Sequence, residues 1–131
     1  MAGISAYYGK NVLDFTLKGS TGTTPGAWAV GLALGAPTSV SGSEIGTGTG
    51  LSRQSLTMGA ASSPAGSASN SNAMTFGPAN TTVAISGVQV WDTTSATVGN
   101  MIYYGTLATA RTLASGDSLV IAAGSLVITM A

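Results

Sequence analysis

The chain has 131 residues, room for one domain with one core. Only Lys10, Lys18, Arg53, Arg111, Asp14, Glu44, Asp92 and Asp117 are charged, 6% of residues against roughly a quarter in ordinary soluble domains, and they sum to zero. Four scattered cations cannot neutralise a run of phosphates or form a polybasic patch, so neither nucleic acid nor a membrane surface is expected as a partner.

Ser, Thr and Gly make up 54 of the 131 residues, so the surface is expected to be polar but neutral. Mean hydropathy is nevertheless positive. Surfaces without charge tend to associate. The combination favours a subunit covered by its neighbours over a free domain kept wet by hydroxyls. The first ten residues lack a basic region followed by an apolar core, so no secretory signal is expected. No apolar run approaches the ~18–20 residues of a spanning helix.

In chain order, residues 4–18 read as a helix. Ile4, Tyr8, Val12 and Phe15 form one stripe with Leu13 and Leu17 beside it, and Gly19 is the expected stop. In Ala27–Gly35, Trp28, Val30, Leu32 and Leu34 alternate with Ala and Gly, a strand with one bulky face and one very small face. The small face implies either a close-packed neighbour or plain exposure. Residues 36–50 have no period and read as a long loop. Leu51–Met58 reads as a strand with Leu51, Arg53, Ser55 and Thr57 on one side, residues 59–72 as a second flexible stretch, and Ala73–Phe76 as a short edge strand.

In Thr81–Asp92 the apolar parity changes between Val83, Ile85 and Val88, Val90, which predicts a bulge at Ser86–Gly87. A turn at Gly99–Asn100 leads into a strand over Met101–Leu107. Leu119–Ala123 and Ser125–Met130 follow, with the similar pieces 114–119 and 122–126 expected in adjacent hairpin-like segments. The pattern is all-β: an antiparallel β-sandwich or jelly-roll-like barrel of about seven or eight strands with a short N-terminal helix, residues 1–131 forming a single domain.

Chemistry is hard to find. The chain has no His, the commonest general base and metal ligand, and no Cys for disulfides or thiolate reactions. Asp14, Glu44, Asp92 and Asp117 each stand alone in sequence, unlike the paired acids of a glycosidase or the clustered acids of a calcium loop. Asp92 and Asp117 fall at strand–turn junctions, where a carboxylate caps turns. Gly46–Gly50 is glycine-rich, but a phosphate cradle needs a helix behind it, and Leu-Ser-Arg-Gln reads as strand. No serine has an activating partner. Trp28, Trp91, Tyr7, Tyr8, Tyr103 and Tyr104 could build a sugar platform, but core or interface packing is the preferred reading. Trp28 has core parity, and Tyr103 and Tyr104 must face opposite ways. No catalytic residue, cofactor or metal site is expected, and the chain is read as no enzyme.

The segment from Val88 to Ala131 resembles a family of small tailed-bacteriophage virion proteins, often labelled tail-fibre-like. The likeness rests on Trp91–Asp92, Gly99–Asn100, Tyr103–Leu107, Arg111, Ser115–Asp117 and Ala122–Gly124 in that order. The N-terminal half is similar too: Leu13-Asp14-Phe15 in a helix, the strand Trp28–Leu34, a Gly-rich loop with Glu44, and Leu-Ser-Arg-Gln at 51–54. Residues 36–50 and 59–72 depart from the pattern. The resemblance implies a structural virion protein, assembled in the host cytoplasm, without catalysis. Capsid cement is the preferred role, as a homotrimer on the major capsid protein, because the chain is short for a fibre shaft and has no repeats. A tail or tail-fibre component is the alternative, and a carbohydrate-binding module a more distant one. Tyr7, Tyr8, Arg53 and Arg111 are the assembly-interface candidates.

Overall fold

Ser5 decides where the helix begins. Its hydroxyl accepts from the Tyr8 amide at 3.2 Å in extended backbone, the geometry of an N-cap, and also donates to the Met101 carbonyl. Its own amide donates to Ile102 O at 2.8 Å. Helix α1 therefore runs Ala6–Lys18 and ends on Gly19 in the left-handed region at φ 72°. Ile4 is not on the helix as expected. With Gly3 it forms strand β1 (Gly3–Ile4), paired with Tyr103 and Tyr104. The computed structural model describes residues 2–22, 25–40, 43–96 and 98–130.

The remaining strands among the described residues are β2 (Ala29–Ala33), β3 (Gln54–Ser55), β4 (Ser67–Ser69), β5 (Met74–Phe76), β6 (Val83–Trp91), β7 (Met101–Leu113), β8 (Leu119–Ile121) and β9 (Val127–Thr129). All pairings are antiparallel. One sheet has the order β1-β7-β6-β2-β3, and two short sheets pair β4 with β9 and β5 with β8. The expected all-β sandwich is the architecture, and no closed barrel forms among the described residues. The core cluster draws Val30, Leu32, Val83, Ile85 and Val90 from the large sheet and Met74 and Phe76 from β5. Leu119, Ile121, Leu126 and Ile128 pack against it from the chain around β8 and β9.

Register decides which face each residue takes, because directly paired residues share a face. Val30 pairs with Val90 and Leu32 with Val88, building the bulky face. Ala29 pairs with Trp91, Gly31 with Gln89 and Ala33 with Gly87, building the small one. All five β2 residues are buried, so both faces of this strand are covered and the close-packed alternative holds. The predicted bulge is present: the β6–β7 register shifts between Ile85 and Gly87. It lets Val83 and Ile85 reach the core before the shift and Val90 after it.

Several loop expectations need correction. Residues 59–72 are not an unpaired stretch: they contain β4, and bridges join Met58 to Asn70 and Ser62 to Ser67. Backbone pairing needs no apolar side chain, so composition hid the strand. Residues 36–50 hold a bridge from Glu44 to Ala33 and a 3₁₀ turn at Thr47–Thr49, whose last carbonyl accepts from Asn80 N at 2.8 Å. Ser41 and Gly42 of that predicted loop lie outside the described residues. The predicted strand over Leu51–Met58 shrinks to Gln54–Ser55, and Leu51 and Leu56 both enter the core despite opposite parity.

The C-terminal strands are not a hairpin with each other. Each pairs with an earlier strand, and Asn70, 2% exposed, ties the two bends together. Its amide nitrogen donates to Asn72 O and Ala122 O at 2.6 and 3.0 Å, and its oxygen accepts from Leu126 N at 2.9 Å. The pieces 114–117 and 122–125 do share a turn: Asp117 N bonds Ala114 O and Ser125 N bonds Ala122 O. Gly116 and Gly124 take φ 91° and 80° at the third position, where a side chain would be strained.

Trp28 and Ile128 are half-buried at the core margin, whereas Phe76 is fully enclosed. Phe76→Ala should therefore cost about 3–5 kcal/mol in chemical denaturation. Trp28→Ala and Ile128→Ala should cost less, and Leu17→Ala at an exposed position less than about 0.5 kcal/mol.

Candidate functional site

The small face of β2 leaves a slot, and a buried arginine fills it. Arg53 lies just before β3, and its side chain is 1% exposed. Its Nε donates to Glu44 Oε1 at 2.6 Å and its Nη2 to Glu44 Oε2 at 2.8 Å, a bidentate pair. Its Nη1 donates to three backbone carbonyls, Thr93 at 3.1 Å, Ser95 at 2.7 Å and Val98 at 2.9 Å. The guanidinium carbon sits 3.9 Å from the centroid of the Trp91 ring, and Trp91 Nε1 donates to Gln89 Oε1 at 3.1 Å. A Cβ on Gly31 would come within 2.6 Å of Glu44 Oε1 and 3.2 Å of Trp91 Nε1, so the small residue makes room for this cluster.

The loop that Arg53 grips is also pinned at its ends. Asp92 accepts from the Asn100 amide at 2.7 Å and from its side chain at 2.9 Å. Asp117 accepts from Ala114 N at 3.0 Å. Both aspartates thus act as turn caps, as their positions predicted. Asp14 pairs with Lys10 four residues earlier on the helix surface. Each carboxylate is therefore engaged in a structural contact, and among the described residues no group of three or more acids could hold a metal ion.

The four assembly candidates fall in different surroundings. Arg53 is internal to the subunit. Tyr8 packs edge-to-face on Tyr103, ring centroids 5.7 Å apart. Tyr7 is exposed on α1, and Arg111 is exposed on β7 opposite Ile85. The two tryptophans are likewise drawn inward: Trp91 lies under Arg53, and Trp28 packs at the core margin. Sequence reasoning noted Glu44 and Arg53 separately and missed their pairing. The readable signal was the large/small alternation of β2, which allowed either a close-packed neighbour on the small face or plain exposure.

No residue of α1 is buried. Tyr8 and Val12 are half-buried toward the body, whereas Leu13, Phe15 and Leu17 are more than half exposed. No helix among the described residues is long and apolar enough to cross a membrane. An apolar helix surface thus faces solvent, while the Arg53–Glu44 pair is turned inward.

A family model described as Podophage GP4 fiber I protein gp80 matches residues 3–129. The chain belongs to this family of bacteriophage fibre-like virion proteins. No curated protein matches it. The match spans both halves on which the resemblance was drawn, and the protein is a phage virion structural protein.

Arg53→Ala should destabilise the fold by about 3–5 kcal/mol, because it strands Glu44 and three carbonyls. Arg53→Lys should recover little of this, since an ammonium cannot reproduce the fork. Denaturation followed by tryptophan fluorescence checks both. With no His, stability should be nearly flat between about pH 6 and 8. Burial, with Tyr8 beside it, raises the Tyr103 phenol above its usual 10.0, and the bond to Asp14 raises Lys10 above 10.5. A folded-state value above the unfolded one means stability present in full below pH 10 and lost as pH rises through the raised values. Denaturation midpoints should therefore fall above pH 10, and Tyr103→Phe should reduce that fall.

Proposed function

We propose that this chain is a non-enzymatic building subunit of the phage tail fibre or its attachment, held to copies of itself and to neighbouring virion proteins through its neutral surface. The observation that carries the reading is the family match over residues 3–129 to a fibre protein. The geometry supports it: every acid is tied up in a contact within the subunit, and apolar side chains such as Leu13, Leu17, Val120 and Val127 are left exposed. Such a surface is suited to permanent neighbours.

A second reading is capsid cement, a homotrimer bound to the major capsid protein. It is favoured by the near-absence of charge and the hydroxyl-rich composition. Both readings use the protein without a cofactor, nucleic acid or membrane, and both end in the assembled virion.

Counting copies per particle by quantitative mass spectrometry separates the two. The fibre reading predicts a few to a few dozen copies that leave with detached tails. Hundreds of copies that stay with the shell would overturn it in favour of cement.

A further inference from the structure

We infer that the sandwich accepts one extended strand of another virion protein, inserted between β1 and β9. The inference rests on the virion-subunit reading above and adds a docking site and the chemistry of its occupant. Backbone register defines the site. Ser5 N donates to Ile102 O, so Gly3 and Ser5 are the β1-side residues whose backbone groups face β7. The alternation of an antiparallel ladder then turns the N–H and C=O of Ile4 outward. On β9, the bonds from Asn70 N to Leu126 O and from Met130 N to Gly66 O fix Leu126, Ile128 and Met130 as the residues facing β4. The backbone groups of Val127 and Thr129 therefore point away from β4, and β9 pairs with no other strand among the described residues.

These two open edges border one slot of about 380 Å³. Val88, Val90 and Tyr103 of the large sheet line it together with Leu126 and Ile128, and no charged side chain does so among the described residues. Unpaired backbone donors and acceptors on two sides are met by a third backbone in extended form, the chemistry of strand addition. An acyl chain would leave those groups unbonded. The apolar lining calls for apolar side chains at alternate positions of the incoming strand, and a charge placed there would be stranded. Leu126–Met130 also carries no Pro and no charge, the usual devices that keep strand edges apart. A segment lying between two edges must be free on both of its own. Every described strand of this chain is already paired, so a copy has none to lend and the donor is a different protein of the particle.

Amide hydrogen exchange, resolved to single residues by fragmentation mass spectrometry, reads the edge in the unaltered chain. In the purified protein the amides of Val127 and Thr129 should exchange fast and that of Ile128, turned to β4, slowly. In intact virions Val127 and Thr129 should slow by about a hundredfold or more. Val127→Pro removes an N–H that serves no bond within the chain, a change that edge strands tolerate. The purified variant should melt as the parent does, yet its copy number in virions should fall several-fold. Fast exchange at both residues in virions would overturn the inference, as would full incorporation of a folded Val127→Pro chain. Slowing that already appears in the concentrated purified protein would assign the contact to a copy and overturn the donor. The exchange comparison decides even where Val127→Pro fails to fold. Hundreds of shell-bound copies would refute the fibre reading without altering exchange at this edge, so the two failures are distinct.

Discussion

A guanidinium removed from water must have every donor satisfied and its charge matched, and in this protein that requirement organises half the fold. Arg53 is enclosed, so Glu44 has to arrive bidentate from the preceding loop, and the carbonyls of Thr93, Ser95 and Val98 have to turn inward. Gly31 has to remain without a side chain, and Trp91 has to lie flat beneath the cation. Elements forty or more residues apart are thereby held in one arrangement, although the hydrophobic effect, being non-directional, would not select it.

The other layer has a neutral counterpart. Asn70 is buried, and its amide joins the bend after β4 to the bend between β8 and β9. Between these two polar ties lies the apolar cluster around Phe76 and Leu32. A chain with 19 glycines and few large side chains has limited area to bury, so directional bonds carry much of the specificity of the fold. The outcome for the exterior is simple. The acids and two of the four cations are occupied locally, and the surface is left largely to hydroxyls and to the unburied side chains of α1.

How far the sequence could be read depended on whether side-chain pattern or backbone pairing made each element. The Ser86–Gly87 bulge, the Gly99–Asn100 turn and the Gly19 stop were legible because parity, or a glycine, marks them directly. β4 was not, since Ser67–Ser69 pairs through its backbone and carries no apolar period. Ile4 was assigned to the helix because its spacing fits, and Ser5 overrode that spacing by capping one residue later. The partnering of β8 and β9 with earlier strands is a long-range choice that local grammar cannot express. The Arg53 centre was legible only in part: alternation in β2 was compatible with a close neighbour as well as with exposure, and nothing in the spacing of Glu44 and Arg53 identified an ion pair.

The central claim is that one buried cation orders the small face of the sheet and the loop laid over it. Native-state amide hydrogen exchange on Arg53→Lys, compared with the unchanged chain, tests it most directly. The amides of Leu34, Ile45, Asp92, Ser95 and Asn100 should exchange much faster in the variant, while those of Gly124 and Leu126 around Asn70 should keep their relative protection. Unchanged exchange at Ile45, Ser95 and Asn100 would contradict the account, because the loops would then be held by something other than Arg53.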